Sequence, residues 1–239
     1  MPKIRKVILI SGFISTYERG LLRGIAKYSR YHGSWLFYKM PAVYLNPAWK
    51  GRKAEMARLK VWEADGVFTQ RLSGVRELVK TGVPVITTDD SKMVEGIPCV
   101  ISDYEATGKM AAEYLLNRGF RHFAYCGADR MFWSQERCKS FCERISQAGY
   151  EVDVYKHPKT KTKRLWENEQ IVLAQWLESL PKPAALMGCS DDRSQEVCEA
   201  CRIAELHVPE EVAVIGVDND QVFCELSNPP LSSVAFNTE

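Results

Sequence analysis

The stretch Val208-Pro-Glu-Glu-Val-Ala-Val-Ile-Gly-Val-Asp-Asn-Asp220 decides how this chain folds. Val212 to Val217 is nearly unbroken apolar and rich in β-branched residues, the composition of a strand covered by helices on both faces. Pro209 marks its entry, and Gly216 near its exit admits a close backbone approach. The strand then delivers Asp218, Asn219 and Asp220 in a row at its carboxyl end. In open α/β sheets that edge is where ligands bind.

Outward from this strand, apolar runs alternate with helical periods. In the first half, strands are expected at 7–10, 35–38, 66–68, 83–86 and 98–101, and helices after the first strand, at 54–62 and at 75–79. Ser15 and Glu18 have the spacing of a capping box, Leu21, Leu22, Ile25 and Tyr28 form one stripe, and Gly33 ends that helix. Asp103 is the expected N-cap of a long helix with Met110, Ala111, Tyr114 and Leu115 on its apolar stripe, ending at Arg118-Gly119. A second series opens at Phe120. It runs through helix 133–148, strand 150–155, helix 166–179, strand 184–187 and helix 191–205 to the quoted strand, then 221–226 and an apolar piece at 231–236. Such alternation implies βαβ units, right-handed crossovers and parallel sheets. Lys156 to Arg164 carries five basic residues and no apolar period, so it reads as a solvated loop.

A chain of 239 residues suffices for one large domain or two small lobes. The net charge of +2 argues neither for nor against nucleic acid, but no concentrated basic face dominates and no recognition helix is apparent, so these residues are expected to bind DNA weakly and without sequence preference. Eight cysteines lie mostly inside apolar or helical patterns and read as reduced, core-type thiols. Cys198 and Cys201 form a lone C-x-x-C with no second pair at zinc spacing, so no metal is expected. Lys3, Arg5 and Lys6 before Val7–Phe13 imitate a signal peptide, but Ser11 and Gly12 break the run, no small-residue cleavage site follows, and a first buried strand explains it better. No stretch is long enough to span a membrane, and a cytoplasmic location is expected.

Catalytic and cofactor motifs are missing: there is no G-x-G-x-x-G, P-loop, H-E-x-x-H or G-x-S-x-G. The pairs Asp89-Asp90 and Asp191-Asp192 are adjacent, so their side chains point apart and make poor acid–base dyads. Neither an enzymatic reaction nor a cofactor is expected. What the sequence does place at strand exits is a set of polar groups suited to a polyol: Glu18 and Arg19, Asp89, Asp103, Arg137, Asp191 and Asp218. Phe13, Tyr17, Phe132 and Trp133 occupy matching exits and can cover a sugar's apolar face. The resulting ligand set is Glu18, Asp89, Trp133, Arg137, Asp191 and Asp218.

The quoted stretch resembles the signature of the sugar-repressor and periplasmic-binding-protein superfamily, in which Val-Pro-Glu-Asp-Val-Ala-Val-Ile-Gly-Phe-Asp-Asp recurs. The run Asp103-Tyr-x-Ala-x-Gly through Arg118-Gly-Phe-Arg-His-Phe-Ala resembles it too. Arg137 falls where sugar repressors place an arginine, although the usual Arg-x-x-Gly-Phe setting is Arg137-Cys-Lys-Ser-Phe141 here. Asp218 matches the aspartate after the key strand, and Asp191-Asp192 stands where many relatives carry Asn-Asp. Tyr17-Glu-Arg19 and Cys189-Ser-Asp-Asp-Arg193 look most like the xylose-responsive transcription activators, which carry a sugar-binding part first and an arabinose-activator-type DNA-binding part last.

The resemblance implies two Rossmann-like parallel-sheet lobes of the type I periplasmic-binding-protein fold, C-terminally truncated. The lobes are expected at 1–118 plus 232–239 and at 119–231, with the Pro-Leu-Ser-Ser-Val piece returning to the first lobe. The function it implies is an effector domain that holds xylose or a similar pentose between the lobes, biases a homodimer, and acts on DNA through a C-terminal domain absent from this chain. The alternatives are a periplasmic sugar-binding protein of a transport system, disfavoured by the missing signal peptide, and a sugar-modifying α/β enzyme.

Overall fold

The computed structural model of the chain describes residues 4–10, 15–39, 62–70, 75–88, 94–158 and 166–237. They form two compact units, Met1–Ser102 with Thr238–Glu239, and Asp103–Asn237. The helix expected at 54–62 lies outside the described residues except for Trp62, as do 159–165 of the basic loop.

In the first unit, β1 (Arg5–Ile10) leads into α1 (Thr16–His32) and β2 (Trp35–Lys39), and then come β3 (Gly66–Thr69), α2 (Val75–Val79) and β4 (Val85–Thr87). All three strand pairs are parallel, in the order β2-β1-β3-β4. Ile8, Ile10, Val67 and Val85 face Val75 and Leu78 on one side of the sheet, while Leu9 and Phe68 meet Leu21, Leu22 and Ile25 of α1 on the other. The capping box of α1 forms as its spacing predicts: Glu18 N–H donates to Ser15 Oγ, and Ser15 N–H to the Glu18 carboxylate. Tyr28 departs from the expected stripe. It is exposed and stacks on His32, with ring centroids 3.9 Å apart. The fifth strand expected at 98–101 is reduced to a single bridge between Thr87 and Cys99, because the chain turns into the next helix at Asp103.

The second unit holds α3 (Tyr104–Asn117), β5 (His122–Cys126), α4 (Phe132–Gln147), β6 (Val152–Val154), α5 (Trp166–Ser179), β7 (Ala184–Gly188), α6 (Asp191–Ile203), β8 (Val212–Val217), α7 (Gln221–Leu226) and β9 (Ser232–Val234). Its five strands are parallel throughout, in the order β6-β5-β7-β8-β9. Strand side chains alternate between two cores. Phe123, Tyr125 and Met187 join Ala111, Leu115, Phe141 and Ile145 of α3 and α4, while Ala124, Cys126 and Leu186 join Leu173, Leu177, Val197 and Cys201 of α5 and α6. Cys198 and Cys201 are core thiols whose burial pushes each pKa up to about 12, as their setting in an apolar helix face suggests.

Two expectations give way here. The apolar stripe of α3 keeps the expected Ala111 and Leu115 but adds Ala112 and leaves Met110 and Tyr114 exposed. Small residues face α4 because the helices are close: a Cβ on Gly108 would lie 2.5 Å from Arg137 O and 2.8 Å from Phe141 N. The boundaries also move from 118 and 232 to 102 and 237, since α3 packs into the second core and β9 pairs with β8, matching Gly216 with Ser233 and Val217 with Val234.

Candidate functional site

The carboxyl ends of β5, β7 and β8 converge on Arg137, the edge at which open α/β sheets bind ligands. Tyr125 at the end of β5 sets the start of α4: its hydroxyl donates to Ser134 O at 2.7 Å, and Ser134 Oγ accepts the Ala128 N–H at 2.9 Å. Arg137 follows one turn into that helix, with its side chain 5% exposed. One of its terminal nitrogens donates to Cys189 O after β7, and the other lies 3.6 Å from Asp218 Oδ1 after β8. Three rings surround the guanidinium, Trp133 at 4.8 Å, Phe236 at 5.1 Å and Tyr104 at 5.7 Å. Its Nε is buried with no hydrogen-bond partner among the described residues, an arrangement that invites an acceptor from a ligand.

Asp218 is less enclosed than its partner, with a side chain 22% exposed. Burial pushes its carboxyl up to about 7; Arg137 pulls it down, while Asp191, Asp220 and Asp192 push it further up. Its φ of 109° and the 48° of Asn219 place two non-glycine residues at positive φ, a conformation that occurs where the surroundings over-determine it.

Asp191, expected as a ligand contact, is instead 1% exposed and committed to the chain. Its Oδ2 accepts the Asp220 N–H at 2.6 Å, its Oδ1 accepts the Ser233 hydroxyl at 2.5 Å, and Cys224 Sγ lies 3.6 Å from Oδ2. Burial raises its pKa, and these donors offset part of the rise. Glu18 belongs to the capping box of α1, and Asp103 caps α3 by accepting the Ala106 N–H at 2.8 Å. Asp89 and Phe13 lie outside the described residues. Of the six expected ligand residues, the second unit therefore brings Trp133, Arg137 and Asp218 together.

Tyr104 and Phe236 were not expected in this group; the only sequence signal for either is its place in a superfamily-like run, the Asp103-Tyr pair and the segment after Pro230. Arg193, part of the xylose-type resemblance, belongs to a second polar cluster. It pairs with Glu169 at 2.9 Å and with Glu196, lies over the Tyr155 ring at 5.4 Å, and shares Glu169 with His157 Nδ1 at 3.0 Å. Among the described residues no group of three or more His, Cys, Asp or Glu side chains is placed to hold a metal ion, and no helix is long and apolar enough to cross a membrane.

Parallel strands wound on both faces by helices, with polar groups at their carboxyl ends, define a fold class: that of type I periplasmic-binding proteins and LacI-type regulators. Residues 112–239 match the periplasmic binding protein-like domain, and the chain belongs to that family. It is 26% identical over 243 residues to the xylose operon regulatory protein of Escherichia coli (strain K12), covering 98% of this chain and 59% of that protein. It is 32% identical over 144 residues to the xylose operon regulatory protein of Haemophilus influenzae, covering 59% of this chain and 37% of the relative. The structure of the xylose-binding transcription activator xylR shares the fold with a TM-score of 0.79 at 22% identity, over 99% of this chain and 60% of that one. The chain thus spans less than two thirds of each of these relatives.

Proposed function

We propose that this chain is the effector-binding part of a bacterial transcription regulator and that it senses a pentose, xylose first among them. The observation that carries this reading is Arg137: a buried guanidinium whose Nε has no partner among the described residues, next to the Asp218 carboxylate and ringed by Trp133, Phe236 and Tyr104. A pentose offers neighbouring hydroxyls that both accept from a guanidinium and donate to a carboxylate, and an apolar C–H face for an aromatic ring. Relatives that are xylose operon regulators support the same assignment. In this reading the group binds a sugar and carries out no reaction on it, and the protein works in the cytoplasm as a homodimer and acts on DNA through a part outside these residues. The sugar shifts the regulator only by its difference in affinity for two conformations.

Titration calorimetry with D-xylose, L-arabinose, D-ribose and D-glucose tests the proposal. Binding should favour a pentose, and Asp218→Ala and Arg137→Ala should each weaken it by roughly tenfold to several hundredfold, since a charged hydrogen bond is worth ~1.5–3 kcal/mol. Unchanged affinity in a folded Asp218→Ala protein would place the ligand elsewhere.

A further inference from the structure

A buried carboxylate, that of Asp191, ties the turn that carries Asp218 to its neighbours. Asp191 opens α6, beside Ser190, whose hydroxyl caps that helix by accepting the Arg193 N–H. From there it reaches two other segments, Asp220 and Cys224 beyond β8 and Ser233 in β9. Ser233 completes the link: its Oγ donates to Asp191 and accepts the Asn219 N–H at 2.9 Å, while Asp218 N–H donates to Val234 O at 3.0 Å. Room for the carboxylate is made by Gly216, where a Cβ would run into Asp191 Oδ1.

We propose that Asp191 is the positioning residue of the ligand site: it staples the Asp218–Asp220 turn to β9, so that Asp218 faces Arg137 and Phe236 lies over the guanidinium. An acceptor-only group is required because every partner of its oxygens is a donor: an N–H, an O–H and an S–H. An amide of the same size would turn an NH2 toward one of them. The two positive-φ residues, Asp218 and Asn219, sit between the stapled points, which is where such a conformation needs support. What the staple serves rests on the sugar-sensing reading; that it sets the position of Asp218 does not.

The experiment therefore has one arm with sugar and one without. In the full chain, Asp191→Asn, Asp191→Ala and Ser233→Ala are compared with the native protein by D-xylose calorimetry, by carboxyl 13C titration of Asp218, and by urea unfolding. Asp191→Asn should weaken D-xylose binding by about tenfold or more while the protein stays folded, with Asp191→Ala weaker still. The charged groups facing Asp218 are Arg137, Asp191, Asp192 and Asp220, so Asp191→Asn also removes a like charge. Ser233→Ala removes none. Loss of the Ser233 donor raises the Asp191 pKa, so Asp191 is followed in the same 13C titration. A midpoint for Asp218 that falls from about 7 in Ser233→Ala while Asp191 is still ionised reports a turn released toward water, not a lost charge. A structural role alone would lower the urea midpoint and leave that titration in place. If Asp191→Asn fails to fold, Ser233→Ala carries both arms, since it removes the Ser233 bond to Asp191 and with it the acceptor of the Asn219 N–H. Native D-xylose affinity in folded Asp191→Asn, or an unmoved Asp218 midpoint in folded Ser233→Ala, overturns the proposal. A native protein that binds none of the four sugars overturns the sugar reading instead, and the titration still decides the positioning.

Discussion

Asp218 is held where its charge is unfavourable. Its folded-state pKa, about 7, stands well above the ~3.9 of an unfolded aspartate. The folded state therefore prefers the protonated carboxyl, and the sign of the linkage follows. Stability from this group is intact below pH ~4, is lost as the pH rises, and is gone above about 7. Asp218→Asn copies the protonated form and should be more stable than the native protein at pH 8, by an amount on the order of a few kcal/mol, with the gap closing at pH 4. The same change removes the anionic acceptor from the site, so D-xylose affinity should fall as stability rises. Urea unfolding at the two pH values measures the first effect. A variant no more stable at pH 8 would mean that Asp218 titrates as an ordinary aspartate.

At the scale of elements, the site depends on how closely α3 approaches α4, because Arg137 sits at that contact with Tyr104 near its guanidinium. Alanine is better than glycine inside a helix by about 1 kcal/mol. At Gly108 that preference should lose. The added Cβ meets Arg137 O and Phe141 N, backbone atoms that cannot swing aside, and overpacking of this kind costs roughly 1–3 kcal/mol. Gly108→Ala should therefore lower the urea midpoint, whereas Gly119→Ala, with open space around it but a φ of 84°, tests conformational strain alone. This contact also marks where sequence reading stops. The position of α3 was legible from Asp103 and the apolar spacing, but its buried face only in half: Ala111 and Leu115 are buried as expected, while Gly108 and Ala112 take the places of Met110 and Tyr114, because glycine and alanine add little to a hydrophobic pattern. Strand β8 was legible as a six-residue apolar run; β9, three residues long, has no period that names its partner. That Arg137 and Asp218 would lie near the same sheet edge was legible from the strand–helix alternation, and the two side chains do meet there. Asp191 shares that kind of place yet turns into the chain, and spacing cannot tell the two directions apart. Tyr104 and Phe236 meet Arg137 only through tertiary packing.

The whole molecule divides where its cores divide. Among the described residues, the cores that include Ile8 and Leu9 draw only on the first unit, and those that include Phe123 and Ala124 only on residues 103–237. A unit that closes its own core should fold alone. Residues 103–237 expressed by themselves should give a single cooperative urea transition. Residues 119–231, the division that the sequence pattern suggested, should not. That cut removes Ala111, Ala112 and Leu115, each 2% exposed or less, and so uncovers Phe141 and Ile145 beneath them. It also removes Ser233 and Val234, which leaves Asp191 short of the Ser233 donor and strips β8 of its edge partner. Losing Leu115 and Val234, at ~2–5 kcal/mol for a large buried side chain, together with the helix that covers Phe141 and Ile145, is comparable to the ~5–15 kcal/mol by which a domain is stable. The 119–231 fragment should bind a hydrophobic dye and lack near-ultraviolet circular dichroism, while 103–237 shows the reverse. Equal cooperativity in the two fragments would return the boundary to residue 118 and reduce α3 to a connector.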